Sequence, residues 1–212
     1  MLISHSILDC DFLNLEKEIR RLIDAKVDFI HVDLMDGHFV PNISMGLRVI
    51  KDIKKICDIP LDVHLMFDYP LFFIDKIDEY LEGDKRSIIT IHEECKSNVS
   101  ETLEKIERLG YKKGLSLKAK TPIERAKKYI DELDLFLQMT IVAGFGGQKI
   151  IVDAIKNIEE LKGQDLIISA DGGITDENVD LLKEAGCNMI VLGSYGWKSN
   201  DIGKTVKKMK GE

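Results

Sequence analysis

Short runs rich in β-branched residues alternate eight times with longer Lys/Glu-rich amphipathic segments. Glycine and polar groups gather just after many of the short runs, and the first of those turns lacks the glycine fingerprint of a nucleotide-binding sheet. Together these observations predict a closed α/β barrel of the (β/α)8 class, the TIM barrel, as one domain over residues 1–212. An open doubly wound sheet would need a strand-order switch and a Gly-rich first turn, whereas that turn here reads Asp9-Cys10-Asp11-Phe12.

Taken in order, the first strand is expected over residues 2–8 and the first helix over 14–25. The second strand covers 29–33, where Phe29, Ile30 and Val32 supply apolar and β-branched character, and it gives way to a loop marked by Gly37 and Pro41. A helix over 47–57, a strand over 61–66 and a helix over 71–81 follow. Next come a strand over 87–92 and a helix over 99–109, with Gly110 placed for a left-handed cap. The fifth strand covers 113–117, and Pro122 suits the first turn of a helix over 123–130. Strands over 135–139, 166–170 and 189–192 alternate with helices over 153–161, 178–185 and 202–210, with Gly186 capping the second of these. No Ser/Gly/Pro-rich linker or low-complexity run marks a domain boundary.

The bulk composition excludes several function classes. Apolar residues make up 44% and charged residues 32%, as expected of a chain able to bury a full core. The net charge is −7 and the basic residues are spread over the expected helices, so nucleic acid is not an expected partner. An acidic chain repels anions at long range, so a phosphate must be held by backbone donors and helix N-termini. No apolar run reaches the roughly 18 residues that would suggest a membrane span. Cys10, Cys57, Cys95 and Cys187 lie far apart without metal or redox spacing, and no secretory pattern opens the chain; a reducing cytoplasm is expected.

The chemistry concentrates at strand ends. In His31-Val-Asp33 the two polar residues are two apart and point to the same side of a strand. The third strand carries His64, and the seventh runs into Asp171-Gly172-Gly173. A lone strand-end histidine is more often structural, and a lone Asp before Gly-Gly is more often a turn former. Two histidines and two carboxylates on one barrel face are instead a set able to ligate one divalent metal. Asp33 and Asp171, on strands two and seven, also suit a two-base reaction that removes a proton from one face of a carbon beside a carbonyl and returns one to the other. A metal there would steady the resulting enediolate.

Met35, Met66 and Met139 lie at or just past the ends of strands two, three and six. Core packing accounts for them, and so does an apolar wall that strengthens the electrostatics at the site. Three glycine groups remain: Gly144-Phe145-Gly146-Gly147, Gly172-Gly173 and Gly193-Ser194. Any one of them is normally a turn, but three at neighbouring strand ends point to a phosphate held by backbone N–H groups, without need of a lysine or arginine.

These motifs resemble the ribulose-phosphate 3-epimerase family over essentially the whole chain. The resemblance rests on Ser6-Ile-Leu8, residues 31–42 (HVDLMDGHFVPN), residues 62–66 (DVHLM), residues 144–148 (GFGGQ), residues 171–174 (DGGI) and Gly193-Ser194. It implies a ribulose-phosphate-binding barrel and metal-dependent proton transfer at C3 of a ketose phosphate, with D-ribulose 5-phosphate and D-xylulose 5-phosphate as the usual pair. It further implies that His31, Asp33, His64 and Asp171 ligate the metal and that Asp33 and Asp171 are the acid/base groups. Ser6 and His64 would touch the sugar, and the backbones of Gly144, Phe145, Gly146, Gly147, Gly172, Gly173, Gly193 and Ser194 would line the phosphate end. Zinc, iron and manganese fit the ligand set equally, and a homo-oligomer is expected by the same resemblance.

Three departures stand near the site. Ser4-His5, Lys118-Ala119 and Val142-Ala143 replace proline-containing pairs common in the family, and His5, Lys118 and Val142 are expected to influence which sugar fits. His5 and His92 are read as structural or supporting groups, His38 as part of a lid, and Tyr195 and Trp197 as packing. The nearest alternative activity is 3-epimerisation of a hexulose phosphate such as D-allulose 6-phosphate. A decarboxylase or aldolase of related barrels would carry Asp-x-Lys-x-x-Asp, and Asp33-Leu34-Met35-Asp36 has no lysine. A non-catalytic sugar-phosphate-binding paralogue would have no need of both Asp33 and Asp171.

Overall fold

The structure, a computed structural model, describes all 212 residues. Eight strands close into a barrel in sequence order: β1 (Leu2–Ser6), β2 (Phe29–Met35), β3 (Leu61–Met66), β4 (Ile88–His92), β5 (Lys112–Leu117), β6 (Leu135–Met139), β7 (Ile167–Asp171) and β8 (Met189–Leu192). Every pairing is parallel, and β8 returns to β1 through Leu2 opposite Met189. The helices are α1 (Leu15–Asp24), α2 (Arg48–Lys54), α3 (Ile74–Leu81), α4 (Val99–Arg108), α5 (Ile155–Glu159), α6 (Val179–Ala185), α7 (Ser194–Trp197) and α8 (Ile202–Lys210). None is long and apolar enough to cross a membrane.

The alternation of side chains along each strand sorts the core into layers. Outward residues such as Ile30, Val32 and Leu34 join a cluster of 47 buried residues between sheet and helices. Inward residues Phe29, Ile88, Leu135, Leu137, Met189 and Val191 fill the barrel interior. Each fully buried Leu or Ile contributes about 1.5–3 kcal/mol. Further along the same inward faces the residues become polar, and the site begins there. Gly114 on β5 makes room for this interior, since a Cβ at that position would lie 2.9 Å from the Thr90 Cβ.

Helix α4 shows how local sequence sets an element. Asn98 Oδ1 accepts from the Glu101 N–H at 3.2 Å, Val99, Thr102, Leu103 and Ile106 are buried at helical spacing, and Gly110 follows at φ +84°. Asp201 caps α8 in the same way through the Lys204 N–H.

The expected helix between β5 and β6 is instead two 3-10 segments, Ile123–Arg125 and Lys127–Glu132. The backbone closes i→i+3 bonds, from the Ala126 N–H to Ile123, the Tyr129 N–H to Ala126 and the Leu133 N–H to Ile130, while the buried residues Ile123, Ala126, Tyr129, Ile130 and Leu133 would suit either helix type. α5 is likewise shorter than its expected span and is preceded by the 3-10 turn Val152–Ala154. β2 runs two residues further than expected, to Met35, and β7 one further, to Asp171, which places Asp171, like Asp33, inside the hydrogen-bonded barrel. The short helix α7, directly after Gly193, was not anticipated.

Candidate active site

Strand register assembles the polar cluster. His31 lies opposite Asp62, Asp33 opposite His64 and Met139 opposite Asp171. Because all these side chains point inward, the ligand-capable atoms of His31, Asp33, His64 and Asp171 fall within 4.8 Å of one another. Asp33 Oδ1 is 3.1 Å from both His31 Nε2 and His64 Nδ1, and Asp171 Oδ2 is 4.0 Å from the same two nitrogens. One nitrogen or oxygen from each of four side chains around one point fits a divalent cation.

The surroundings orient these groups. Asp62 Oδ2 accepts from the Ser4 hydroxyl at 2.9 Å and lies 2.7 Å from His31 Nδ1, which leaves Nε2 facing the cluster. Ser6 donates to Asp33 Oδ2 at 2.8 Å and accepts from the Leu8 N–H. Without a metal the two carboxylates differ sharply. Burial, followed by the charge on Asp33, pushes Asp171 up to about 6. Burial would raise Asp33 too, but the charges and hydrogen bonds of His31 and His64 outweigh it and hold its carboxyl well below the usual range. Two carboxylates of unequal proton affinity in one site are what acid/base chemistry at neutral pH requires.

Above the cluster opens a cavity of ≈ 190 Å³ lined by Ser6, Asp33, Asp171 and the three methionines. It suits a small metabolite better than ligands that fill pockets of roughly 300–1,000 Å³. Met35, Met66 and Met139 are at most 3% exposed and pack with Phe39, Val40, Ile141 and Ala143, so they form an apolar wall and a small core together. His31 and His64 are fully buried and do not line the cavity, which puts His64 behind the carboxylates and not at its surface.

The far end of the cavity is made by Gly144, Phe145, Gly146, Gly147, Gly172, Gly173, Gly193 and Ser194. Gly173 sits at φ +67°, and a Cβ there would lie 2.6 Å from the Ile150 nitrogen, so glycine is required by both backbone and space. The N–H groups of Gly146, Gly147, Gly173 and Gly193 donate no hydrogen bond within the chain, and such free donors suit an anion. Gln148 ties this loop by donating to the carbonyls of Val142 and Phe145, and Asn42 holds the Gly144 carbonyl at 2.6 Å.

Sequence reasoning missed several residues. Lys198 lines the same end of the cavity, so a cation is available to a phosphate after all. Asp9 also lines it, accepting from the Ser194 hydroxyl. The one signal for Asp62 was its place two residues before His64 on a strand. Of the three rim departures, none lines the cavity. His5 points out of the barrel onto Trp197, with ring centroids 4.6 Å apart, Lys118 lies over the Phe39 ring at 3.7 Å, and Val142 is 61% exposed. The outward direction of His5 follows from alternation, because Ser4 and Ser6 take the inward positions of β1.

Comparison with known proteins identifies the family. The family model described as "Ribulose-phosphate 3 epimerase family" matches residues 2–197. A ribulose-phosphate 3-epimerase of Bacillus subtilis (strain 168) is 36% identical over 219 residues, covering 99% of this chain and 98% of that protein. One from Escherichia coli (strain K12) is 34% identical over 218 residues, covering 100% of this chain and 95% of that protein. Among solved structures, the 3-hexulose-6-phosphate synthase of Salmonella typhimurium superposes with a TM-score of 0.75 at 14% identity, covering 100% of this chain and 97% of that one, a likeness of fold alone. With relatives of this identity along its whole length, the chain is an epimerase, an isomerase, and it belongs to the ribulose-phosphate 3-epimerase family.

Proposed function

We propose that this protein inverts C3 of a ketose phosphate by two-base proton transfer and that its substrate pair is D-ribulose 5-phosphate and D-xylulose 5-phosphate. The observation that carries the reading is the pair Asp33 and Asp171, on strands from different parts of the barrel wall, both lining one cavity over two buried histidines. One carboxylate takes the C3 proton, and the other, protonated, returns a proton to the opposite face. Atoms and charge balance without an oxidant.

His31, Asp33, His64 and Asp171 are the residues that would hold a divalent metal, zinc, iron or manganese. When bound, that metal supplies positive charge to the substrate oxygens that become negative as the proton leaves. Ser6, by donating to Asp33, steers that carboxylate toward the cavity. The methionine wall excludes water and lowers the local dielectric. The glycine loops and Lys198 orient the phosphate and so fix C3 between the two carboxylates. The four free cysteines support a reducing, cytoplasmic setting. Resemblance to the family supports a homo-oligomer, which sedimentation would measure.

The test is NMR of D-ribulose 5-phosphate in D2O with Zn²⁺, Fe²⁺ or Mn²⁺ added, against a chelator control. Deuterium at C3 with appearance of D-xylulose 5-phosphate, only when metal is present, is the expected result. Turnover confined to D-allulose 6-phosphate would overturn the substrate assignment. Full turnover in chelator would overturn the metal.

A further inference from the structure

His64 reaches a buried carboxylate through a second histidine. His64 Nε2 lies 2.9 Å from His92 Nε2, and His92 Nδ1 lies 3.2 Å from Glu94 Oε2. The other oxygen, Glu94 Oε1, accepts from the Lys118 N–H at 2.8 Å and from the Thr121 hydroxyl. His92 is fully buried, with the Phe39 ring against it at a centroid distance of 4.6 Å.

The protons along this line are set by donor and acceptor chemistry. An ionised carboxylate only accepts, so the proton between Glu94 and His92 belongs to His92 Nδ1. A neutral imidazole carries one proton, so His92 Nε2 has a lone pair. Two lone pairs cannot face each other at hydrogen-bond distance, so His64 Nε2 carries the proton. The remaining nitrogen of His64, Nδ1, lies 3.1 Å from Asp33 Oδ1, and a cation bound between them would take its lone pair, so that in the cation-loaded protein the single proton of His64 stays on Nε2. On the neighbouring strand Asp62 acts on His31 directly, but β4 offers His64 a histidine where β3 offers His31 a carboxylate. Glu94 supplies the anion one residue further out.

We propose that Glu94, acting through His92, is a positioning residue for the cation site: the pair favours the proton of His64 on Nε2 and so frees its Nδ1 lone pair for a cation held with Asp33 and Asp171. The proposal rests on the reading that these residues bind a divalent cation. Outer partners of metal-ligating histidines typically contribute about 10–100-fold in affinity, and that is the size of effect expected here.

The experiment pairs ¹⁵N NMR of histidine-labelled wild-type protein loaded with Zn²⁺ with Zn²⁺ affinities measured by chelator competition. The expected spectrum has the His92 proton on Nδ1 and the His64 proton on Nε2. Glu94→Gln and His92→Phe should each weaken Zn²⁺ binding by about 10–100-fold, and His92→Gln, which keeps an acceptor for His64, should weaken it less than His92→Phe. A packing role would give the reverse order, because Phe better replaces a ring packed against Phe39. The proposal is overturned by a His64 proton on Nδ1 or by wild-type affinity in Glu94→Gln. The wild-type spectrum decides the question even where a variant fails to fold. Wild-type protein that binds no Zn²⁺ would overturn the cation site and this proposal together, whereas tight wild-type binding with unaffected variants would overturn this proposal alone.

Discussion

Replacing Asp171 by Asn should stabilise the metal-stripped protein and remove most of its activity, two effects of opposite sign with one electrostatic origin. Burial and the neighbouring Asp33 charge raise Asp171 to about 6 in the folded chain, against roughly 3.9 for an unfolded aspartate. The folded state therefore holds a proton that the unfolded state has released between these two values. Stability associated with this group is fully present below about pH 4 and is lost as the pH rises through about 6. Asn cannot ionise and escapes that loss. At about 1.36 kcal/mol per unit, the advantage of Asp171→Asn above pH 6 is at most about 3 kcal/mol. For a chain of this size that corresponds to a rise of up to about 6–12 °C in Tm. Melting curves in chelator at pH 4 and pH 7 measure it: the two proteins should melt alike at pH 4 and separate at pH 7. Turnover should meanwhile fall by about 100-fold or more, the usual contribution of an acid/base group. A variant that melts no higher than wild type at pH 7, or that keeps near-normal turnover, would refute the reasoning.

Lys198→Met should raise KM for the sugar phosphate about 10-fold with little change in kcat, since a lost charge-assisted contact to a non-reacting group costs uniform binding; an unchanged KM would place Lys198 outside the phosphate contact. Gly114→Ala drives a methyl group into Thr90 inside the barrel and should cost about 1–3 kcal/mol in denaturant unfolding. Asp62→Asn removes the anion that holds the proton of His31 on Nδ1 and should weaken Mn²⁺ binding about 10–100-fold in a chelator competition.

The barrel was legible because its signal is repeated. Eight alternations of short and long segments cannot be matched by many folds, and an error of one or two residues at an element's end changes nothing in the topology. The four metal-capable residues were legible for a related reason, since His31 with Asp33, and His64 and Asp171 at their own strand ends, each sit on a strand whose period of two fixes the side that they face. Where the pattern was short the reading failed. The span 123–130 has too few residues to distinguish a period of three from one of 3.6, and its 3-10 geometry appears only in the i→i+3 bonds of its backbone. His5 is read as a supporting group that also influences which sugar fits, and alternation denies it the mouth, because the inward positions on β1 belong to Ser4 and Ser6.

The sequence by itself determined the class of fold, the chemistry-bearing residues and the family, because each depends on residue type and local spacing. Only the tertiary structure decided which partners those residues have. That Asp62 lies 2.7 Å from His31 Nδ1, that His92 stands between His64 and Glu94, and that Lys198 lines the phosphate end depend on barrel closure and strand register. The contact of His31 with Asp62 joins residues 31 positions apart on neighbouring strands, Lys198 meets loops still more distant in sequence, and no local propensity encodes such distances.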